Sequence, residues 1–91
     1  MSIDDEARLL SREVVHILKE ERERRGLSKY ALSGRCGLSQ QAIGYTERQI
    51  TEPSLETIVR IALALDMSLP EVFMKARRRS DISKTDRGTS S

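Results

Sequence analysis

The sequence predicts an all-α protein built from five helices. Apolar residues recur at helical spacing in successive segments, most segments follow a residue type that caps helices, and no stretch alternates as a strand does. The chain has 91 residues, which is enough for one small domain with a modest core. It holds only three aromatic residues, so the core is expected to be aliphatic.

The first helix is predicted over about residues 7–25. Four apolar residues fall on one face of this segment at helical spacing: Leu10, Val14, Ile17 and Leu18. Residues 1–6 are polar and acidic, and they are either frayed or the start of this helix. Gly26 ends the helix. We treat residues 1–12 as an N-terminal extension of the first helix.

The second and third helices are short and closely joined. Ser28 is the expected N-cap of a helix over residues 29–36, which ends at Gly37. Ser39 is the expected N-cap of a third helix from about Gln40 to Gln49. Only Leu38 separates Gly37 from Ser39, so the two helices cannot lie antiparallel and must cross steeply. A helix, a tight glycine turn and a second helix form the helix-turn-helix arrangement.

A fourth and a fifth helix follow Pro53. Ser54 caps the fourth, whose apolar residues are spaced for burial: Leu55, Ile58, Val59, Ala62 and Leu65. Ser68 and Glu71 have the spacing of a capping box for a short fifth helix. Its predicted anchors are Leu69, Val72 and Phe73. The helix-turn-helix domain then spans residues 13–76, and residues 77–91 form a basic and polar tail that is predicted to be disordered.

Several classes of function are disfavoured by composition. A single cysteine, Cys36, and a single histidine, His16, argue against a disulfide or a zinc site. The chain has no nucleophile–base arrangement, so we predict no catalytic residue, no metal, no cofactor and no enzyme activity. No apolar run approaches membrane-spanning length and no signal-peptide pattern is present, so a cytoplasmic protein without a membrane partner is expected. The net charge of +2 is weak evidence for nucleic acid.

The third helix has two chemically different faces. At about 100° per residue, one arc holds the polar side chains and a glycine: Gln40, Gln41, Gly44, Tyr45 and Arg48. The opposite arc holds Ala42, Ile43, Thr46 and Ile50, with Glu47 at its edge. Glutamine pairs with adenine and arginine with guanine in the major groove, so the polar arc is predicted to contact bases. Gly44 would permit close approach. A merely solvated face is about as well supported by this helix alone, and the steep turn before it favours DNA.

The segment from about Ile17 to Phe73 resembles the lambda-repressor-like, Cro-type helix-turn-helix DNA-binding family. The resemblance is carried by LKEERERRGLSKYALSGRCGLSQQAIGYTER and EPSLETIVRIALALDMSLPEVF. The small Ser33, the turn Gly37 and Ile43 match the family pattern, as do the Glu47–Arg48 pair and the run from Pro53 to Thr57. The resemblance implies a compact five-helix domain that binds double-stranded DNA and regulates transcription.

The resemblance also implies roles for single residues. Gln40 and Gln41 match base-reading positions, Tyr45 a base- or backbone-contacting position, and Lys29 a phosphate-contacting one. Arg22 and Glu47 match a structural ion pair between the first and third helices. The turn after the third helix departs from the family, because Gln49-Ile50-Thr51 lacks the usual glycine and basic residues. The predicted phosphate contacts are therefore Ser28, Lys29, Ser39 and Thr51.

The sequence thus predicts a homodimeric regulator, more specifically a repressor, that binds a palindromic operator. Dimerisation is expected around the start of the fifth helix, through Met67, Leu69, Val72 and Phe73, with the long first helix as a second possible surface. The alternative is a protein-interaction adaptor, or an antitoxin-type regulator with a protein partner, built on the same fold. An adaptor has no need to keep Gln40, Gln41 and Arg48 outward together with Lys29.

Overall fold

The structure is a computed structural model that describes residues 2–89, with side chains described for residues 2–83. It contains five α-helices and no strand within residues 2–89. The helices are α1 (Ile3–Arg24), α2 (Lys29–Cys36), α3 (Gln40–Glu47), α4 (Leu55–Ala64) and α5 (Leu69–Thr89). The predicted all-α fold of five helices is confirmed. None of the described helices is long and apolar enough to cross a membrane.

Serine hydroxyls define where the first four helices begin. Each accepts a hydrogen bond from the backbone N–H three residues later, and the four caps are Ser2, Ser28, Ser39 and Ser54. Such caps satisfy a backbone donor that a helix otherwise leaves unpaired. Three of these caps were predicted from the sequence. The remaining cap, Ser2, precedes α1, which begins at Ile3, four residues before the predicted residue 7. The acidic segment is therefore helical.

All five helices contribute to the core, with α1 packed most extensively on α5 and with α2 packed on α3 and α4. The fully buried large side chains of the core come from five different elements or their ends and include Ile17, Leu32, Ile43, Leu65 and Val72. The aliphatic core predicted from the scarcity of aromatic residues is therefore present. Cys36 is also buried on α2, as a free thiol.

Three apolar residues that were expected to pack are exposed. Helix α3 ends at Glu47 and not at Gln49, so the helical phase that placed Ile50 on the packed face no longer applies, and Ile50 is 59% exposed. Leu55 is the first residue of α4 and is 70% exposed, because it precedes the turns that meet the core. Phe73 is 45% exposed at one flank of α5.

The predicted disorder of residues 77–91 is wrong over residues 77–89, which continue α5. Residues 90 and 91 lie outside the described part of the chain. Ala76 and Ser80 are both fully buried, which extends the buried face of α5 beyond Val72 at helical spacing. The basic cluster pairs with carboxylates of α1, since Arg77 contacts Glu6 at 3.0 Å and Arg79 contacts Glu20 at 2.7 Å. Arg77 and Arg79 therefore take part in contacts between α5 and α1.

Candidate nucleic-acid interface

The turn between α2 and α3 has a single well-defined geometry. Gly37 has φ 75° and ψ 14°, a left-handed conformation that glycine adopts without steric cost. The Ser33 hydroxyl donates to the carbonyl of Leu38 at 2.6 Å, which closes the turn. A Cβ atom at Gly37 would lie 3.0 Å from a guanidinium nitrogen of Arg60, and that guanidinium donates to the carbonyl of Cys36 at 3.2 Å. The left-handed conformation therefore favours glycine here, and an added Cβ atom would also require the Arg60 side chain to shift.

A buried ion pair fixes the end of α3 to the end of α1. The Arg22 guanidinium donates to both carboxylate oxygens of Glu47, at 2.7 and 3.0 Å, and both residues are 9% exposed. A third donor of Arg22 reaches the carbonyl of Leu27 at 2.7 Å. Hydrogen bonding to Glu47 raises the pKa of Arg22 above its ordinary value. The structure thus brings together the two residues that the resemblance pairs, and it orients α3 through them.

The predicted base-contacting side chains lie on the face of α3 away from the core. Gln40 and Gln41 are both exposed in its first turn. The Gln41 amide donates to the Tyr45 hydroxyl at 2.6 Å, across one helical turn. The Arg48 guanidinium lies 5.7 Å from the centre of the Tyr45 ring and also donates to the carbonyl of Gly44 at 3.2 Å. These side chains therefore hold one another in place on the outer face.

Gly44 differs from the expectation, because it is buried. An added Cβ atom at this position would lie 3.6 Å from a guanidinium nitrogen of Arg48 and 3.9 Å from the amine of Lys29. Both distances are ordinary van der Waals contacts. The glycine still lies on the outward side of the helix, but two cationic side chains cover it. Lys29 and Arg48, one from each helix, thereby converge on the same point.

Two of the predicted phosphate-contacting hydroxyls already accept hydrogen bonds as helix caps. Ser28 accepts from the N–H of Ala31 and Ser39 from the N–H of Ala42, both at 3.0 Å. A hydroxyl that accepts one hydrogen bond still has its own proton to donate. Thr51 is exposed in the turn after α3. In that turn Gln49 has φ 59°, a left-handed conformation that residues other than glycine seldom adopt.

The predicted dimer residues have different environments. Phe73 is 45% exposed, while Met67 and Leu69 are partly buried against the core. Val72 is 2% exposed and belongs to the core of the chain, so it has no surface to offer a second copy. Val72 was included because it lies at the start of the fifth helix, and sequence spacing alone does not distinguish a core residue from an interface residue.

Two features of the interface were not foreseen. One is the contact between Gln41 and Tyr45, and the other is the cover that Lys29 and Arg48 form over Gly44. The spacing of Gln41 to Tyr45, and of Gly44 to Arg48, is four residues, which places each pair on neighbouring turns of one helix face. Both contacts could therefore have been predicted from the four-residue spacing in the sequence. The approach of Lys29 had no local signal, since it depends on how α2 crosses α3.

Comparison with known proteins gives one family and one relative. A family model described as helix-turn-helix matches residues 18–72, which is more than half of the chain. A protein of Sinorhizobium fredii (strain NBRC 101917 / NGR234) described as "uncharacterized HTH-type transcriptional regulator y4dL" is 39% identical over 64 residues, or 67% of this chain. The matched part spans 33% of the length of that relative. No solved structure matches the chain significantly.

Proposed function

The chain belongs to the Cro/C1-type helix-turn-helix family, and we propose that it binds double-stranded DNA in a sequence-specific manner and regulates transcription. The observation that carries this proposal is the outer face of α3. Gln40, Gln41 and Arg48 are exposed together there, and Lys29 of α2 reaches the same surface. A protein-interaction adaptor has no need for this combination of amides and cations.

In the proposed complex α3 lies in the major groove with its first turn toward the base edges. Gln40 and Gln41 each offer an amide that can donate to and accept from adenine, and Arg48 offers a guanidinium that suits guanine. Lys29 stands at the first turn of α2, where free backbone N–H groups and the helix dipole also favour a phosphate. The buried pair of Arg22 and Glu47 holds this surface at a fixed angle to α1.

Base reading by Gln41 requires its hydrogen bond with Tyr45 to break. Its amide nitrogen is hydrogen-bonded to the Tyr45 hydroxyl in the free protein, and a bidentate contact with adenine uses that donor. The contact is exposed, and an exposed hydrogen bond contributes only about 0.5–1.5 kcal/mol or less. A good bidentate base contact discriminates by about 1–3 kcal/mol. The free energy gained from the base contact is therefore comparable to or larger than that lost with the hydrogen bond to Tyr45. In the proposed complex Tyr45 remains beside the base.

The finer proposal is a homodimeric repressor on a palindromic operator. One domain of this size makes few base contacts, so two copies on half-sites about 34 Å apart supply the specificity. The accessible part of the expected interface is Phe73 with the exposed edges of Met67 and Leu69. Two further apolar side chains of α4 and α5 are exposed, since Leu63 is 62% and Met74 59% exposed.

Selection of bound sequences from random duplexes tests DNA binding directly. Purified protein is expected to enrich a roughly palindromic motif, and its affinity should fall steeply as salt rises. Failure to enrich any motif would contradict the proposal and favour the alternative function, a protein-interaction adaptor.

Two substitutions separate base reading from phosphate binding. Gln41→Ala should lose about 1–3 kcal/mol on the selected site and relax preference at one position. Lys29→Ala should weaken all duplexes alike and lower the salt slope by about one. Lys75→Ala is the matched control for Lys29→Ala, because Lys75 is an exposed lysine on α5. Wild-type binding by Gln41→Ala would show that α3 sits in a different register.

Light scattering after size-exclusion chromatography tests the dimer. The wild-type chain is expected to elute as a dimer and Phe73→Ser as a monomer. Ile82→Ser is the matched control, because Ile82 is 60% exposed on α5 but lies outside the proposed interface. A wild-type chain that stays monomeric at high concentration would count against the dimer.

A further inference from the structure

A groove brings the start of α1 next to the turn that follows α3. Its volume is about 550 Å³. One wall is the N-terminal half of α1, with Arg8 and Arg12, and the other includes Gln49 and Thr51 of the turn. Residues 1–12 were expected only to lengthen the first helix. The structure places their two arginines at the rim of the candidate nucleic-acid interface.

Arg8 and Arg12 are exposed, and neither has an ion-pair or hydrogen-bond partner among the described residues. Most other arginines of α1, α4 and α5 are held by carboxylates, namely Arg22, Arg24, Arg25, Arg60, Arg77 and Arg79. An arginine already paired with a carboxylate must give up that partner before it binds phosphate. Arg8 and Arg12 carry no such cost.

Both arginines lie on the side of α1 that faces the turn after α3, because they line one groove with Gln49 and Thr51. Around α1, Arg22 marks the direction of α3, because it reaches Glu47 there. At 3.6 residues per turn, Arg8 and Arg12 lie about 40° and 80° from Arg22 around the helix, so the three arginines share one side of α1. The two arginines also stand four residues apart, about 6 Å along the helix, so both can reach one phosphate strand.

The turn after α3 lacks the cations that this place usually provides. Residues 49–54 read QITEPS, with one carboxylate, Glu52, and no lysine or arginine. Glu52 is the one acidic side chain along the groove, and its negative charge would repel a DNA phosphate. Positive charge near this turn therefore comes from Arg48 at the end of α3 and from Arg8 and Arg12 of α1.

We propose that Arg8 and Arg12 contact the phosphates that flank the half-site and thereby extend the DNA interface onto the start of α1. This inference rests on the proposed function. Because phosphates are the same in every sequence, the two arginines raise affinity without adding base preference. Each contact contributes about 0.9 to the slope of log affinity against log salt, which corresponds to roughly eightfold in affinity between 1 M and 0.1 M salt.

The test measures the affinity of the full chain for the selected duplex and for an unrelated duplex across a salt series, by fluorescence anisotropy. The double variant Arg8→Ala/Arg12→Ala should lower the slope by about two on both duplexes and leave the selected motif unchanged. The double variant Arg8→Lys/Arg12→Lys should keep the slope, because it keeps the charge. Arg78→Ala is the matched control, an exposed and unpaired arginine on the side of α5 opposite the buried Val72 and Ala76.

The outcomes separate the two proposals. If the wild-type chain binds no duplex, the proposed function fails and this inference fails with it. If the wild-type chain binds DNA and the double alanine variant keeps the full slope, the arginines do not contact phosphate and only this inference is overturned. An equal loss of slope in Arg78→Ala would also overturn it, since the effect would then be general charge. Thermal unfolding of each variant, expected within a few degrees of wild type, excludes loss of fold.

Discussion

Replacement of Gly44 by alanine tests both the packing of α3 and its closeness to DNA. Gly44 does not have the positive φ of Gly26 and Gly37, so alanine fits its backbone without strain. The new methyl group would meet the ends of two flexible side chains at 3.6 and 3.9 Å, which are ordinary contacts. Alanine is better than glycine in a helix by about 0.8–1.0 kcal/mol. Gly44→Ala should therefore stabilise the chain by about 1 kcal/mol and raise its Tm by about 4–8 °C.

Gly34 provides a matched control for this substitution. It lies on the exposed side of α2, and nothing lies within 4 Å of an added Cβ atom. Gly34→Ala should raise the Tm by a similar amount. Only Gly44→Ala should weaken DNA binding, because its methyl group stands beneath Lys29 and Arg48 on the outer face of α3.

Urea unfolding measures the stability of both variants, and a fluorescence anisotropy titration measures their affinity for DNA. If Gly44→Ala lowers stability while Gly34→Ala raises it, the space around Gly44 is tighter than 3.6 Å and the reasoning is wrong. If both variants are more stable and bind DNA equally well, the methyl group at residue 44 is tolerated at the DNA. The close approach of α3 to the groove at Gly44 would then be refuted.

Other substitutions test the supports of the interface. Glu47→Ala leaves the Arg22 charge buried without its partner and should cost about 3 kcal/mol or more in urea unfolding, whereas Arg22→Met/Glu47→Leu should recover much of that loss. Ser80→Ala should stabilise the chain by about 1 kcal/mol, because the buried Ser80 hydroxyl has no hydrogen-bond partner within the described residues; a lower Tm would contradict this. Hydrogen bonds from two arginines lower the pKa of Glu21 from 4.5 to about 2. Its stabilisation relative to Glu21→Gln, below about 1 kcal/mol for such surface pairs, should be full above pH 4.5 and vanish as pH falls toward 2; a difference that persists at pH 2 would contradict it.

The short-range features of the fold were predictable because they depend on residues close in sequence. A serine cap needs only an N–H three residues away, and so the starts of α2, α3 and α4 followed from Ser28, Ser39 and Ser54. The two faces of α3 followed from helical spacing in the same way. The pair of Arg22 and Glu47 is 25 residues apart, and it was predicted only through the family resemblance.

Contacts between distant segments were not predictable from local pattern. Beyond Ala76, α5 contacts α1 through ion pairs such as Arg79 with Glu20, which are 59 residues apart in sequence. The cover over Gly44 depends on the crossing of α2 and α3, and the groove beside Arg8 depends on where the turn after α3 meets α1. By itself the sequence determined where α2, α3 and α4 begin and which face of α3 is polar, since local hydrogen bonds and helical spacing set both. Only the tertiary structure decided how far α5 extends and which cations gather beside α3, because both result from the packing of helices that the chain brings together from far apart.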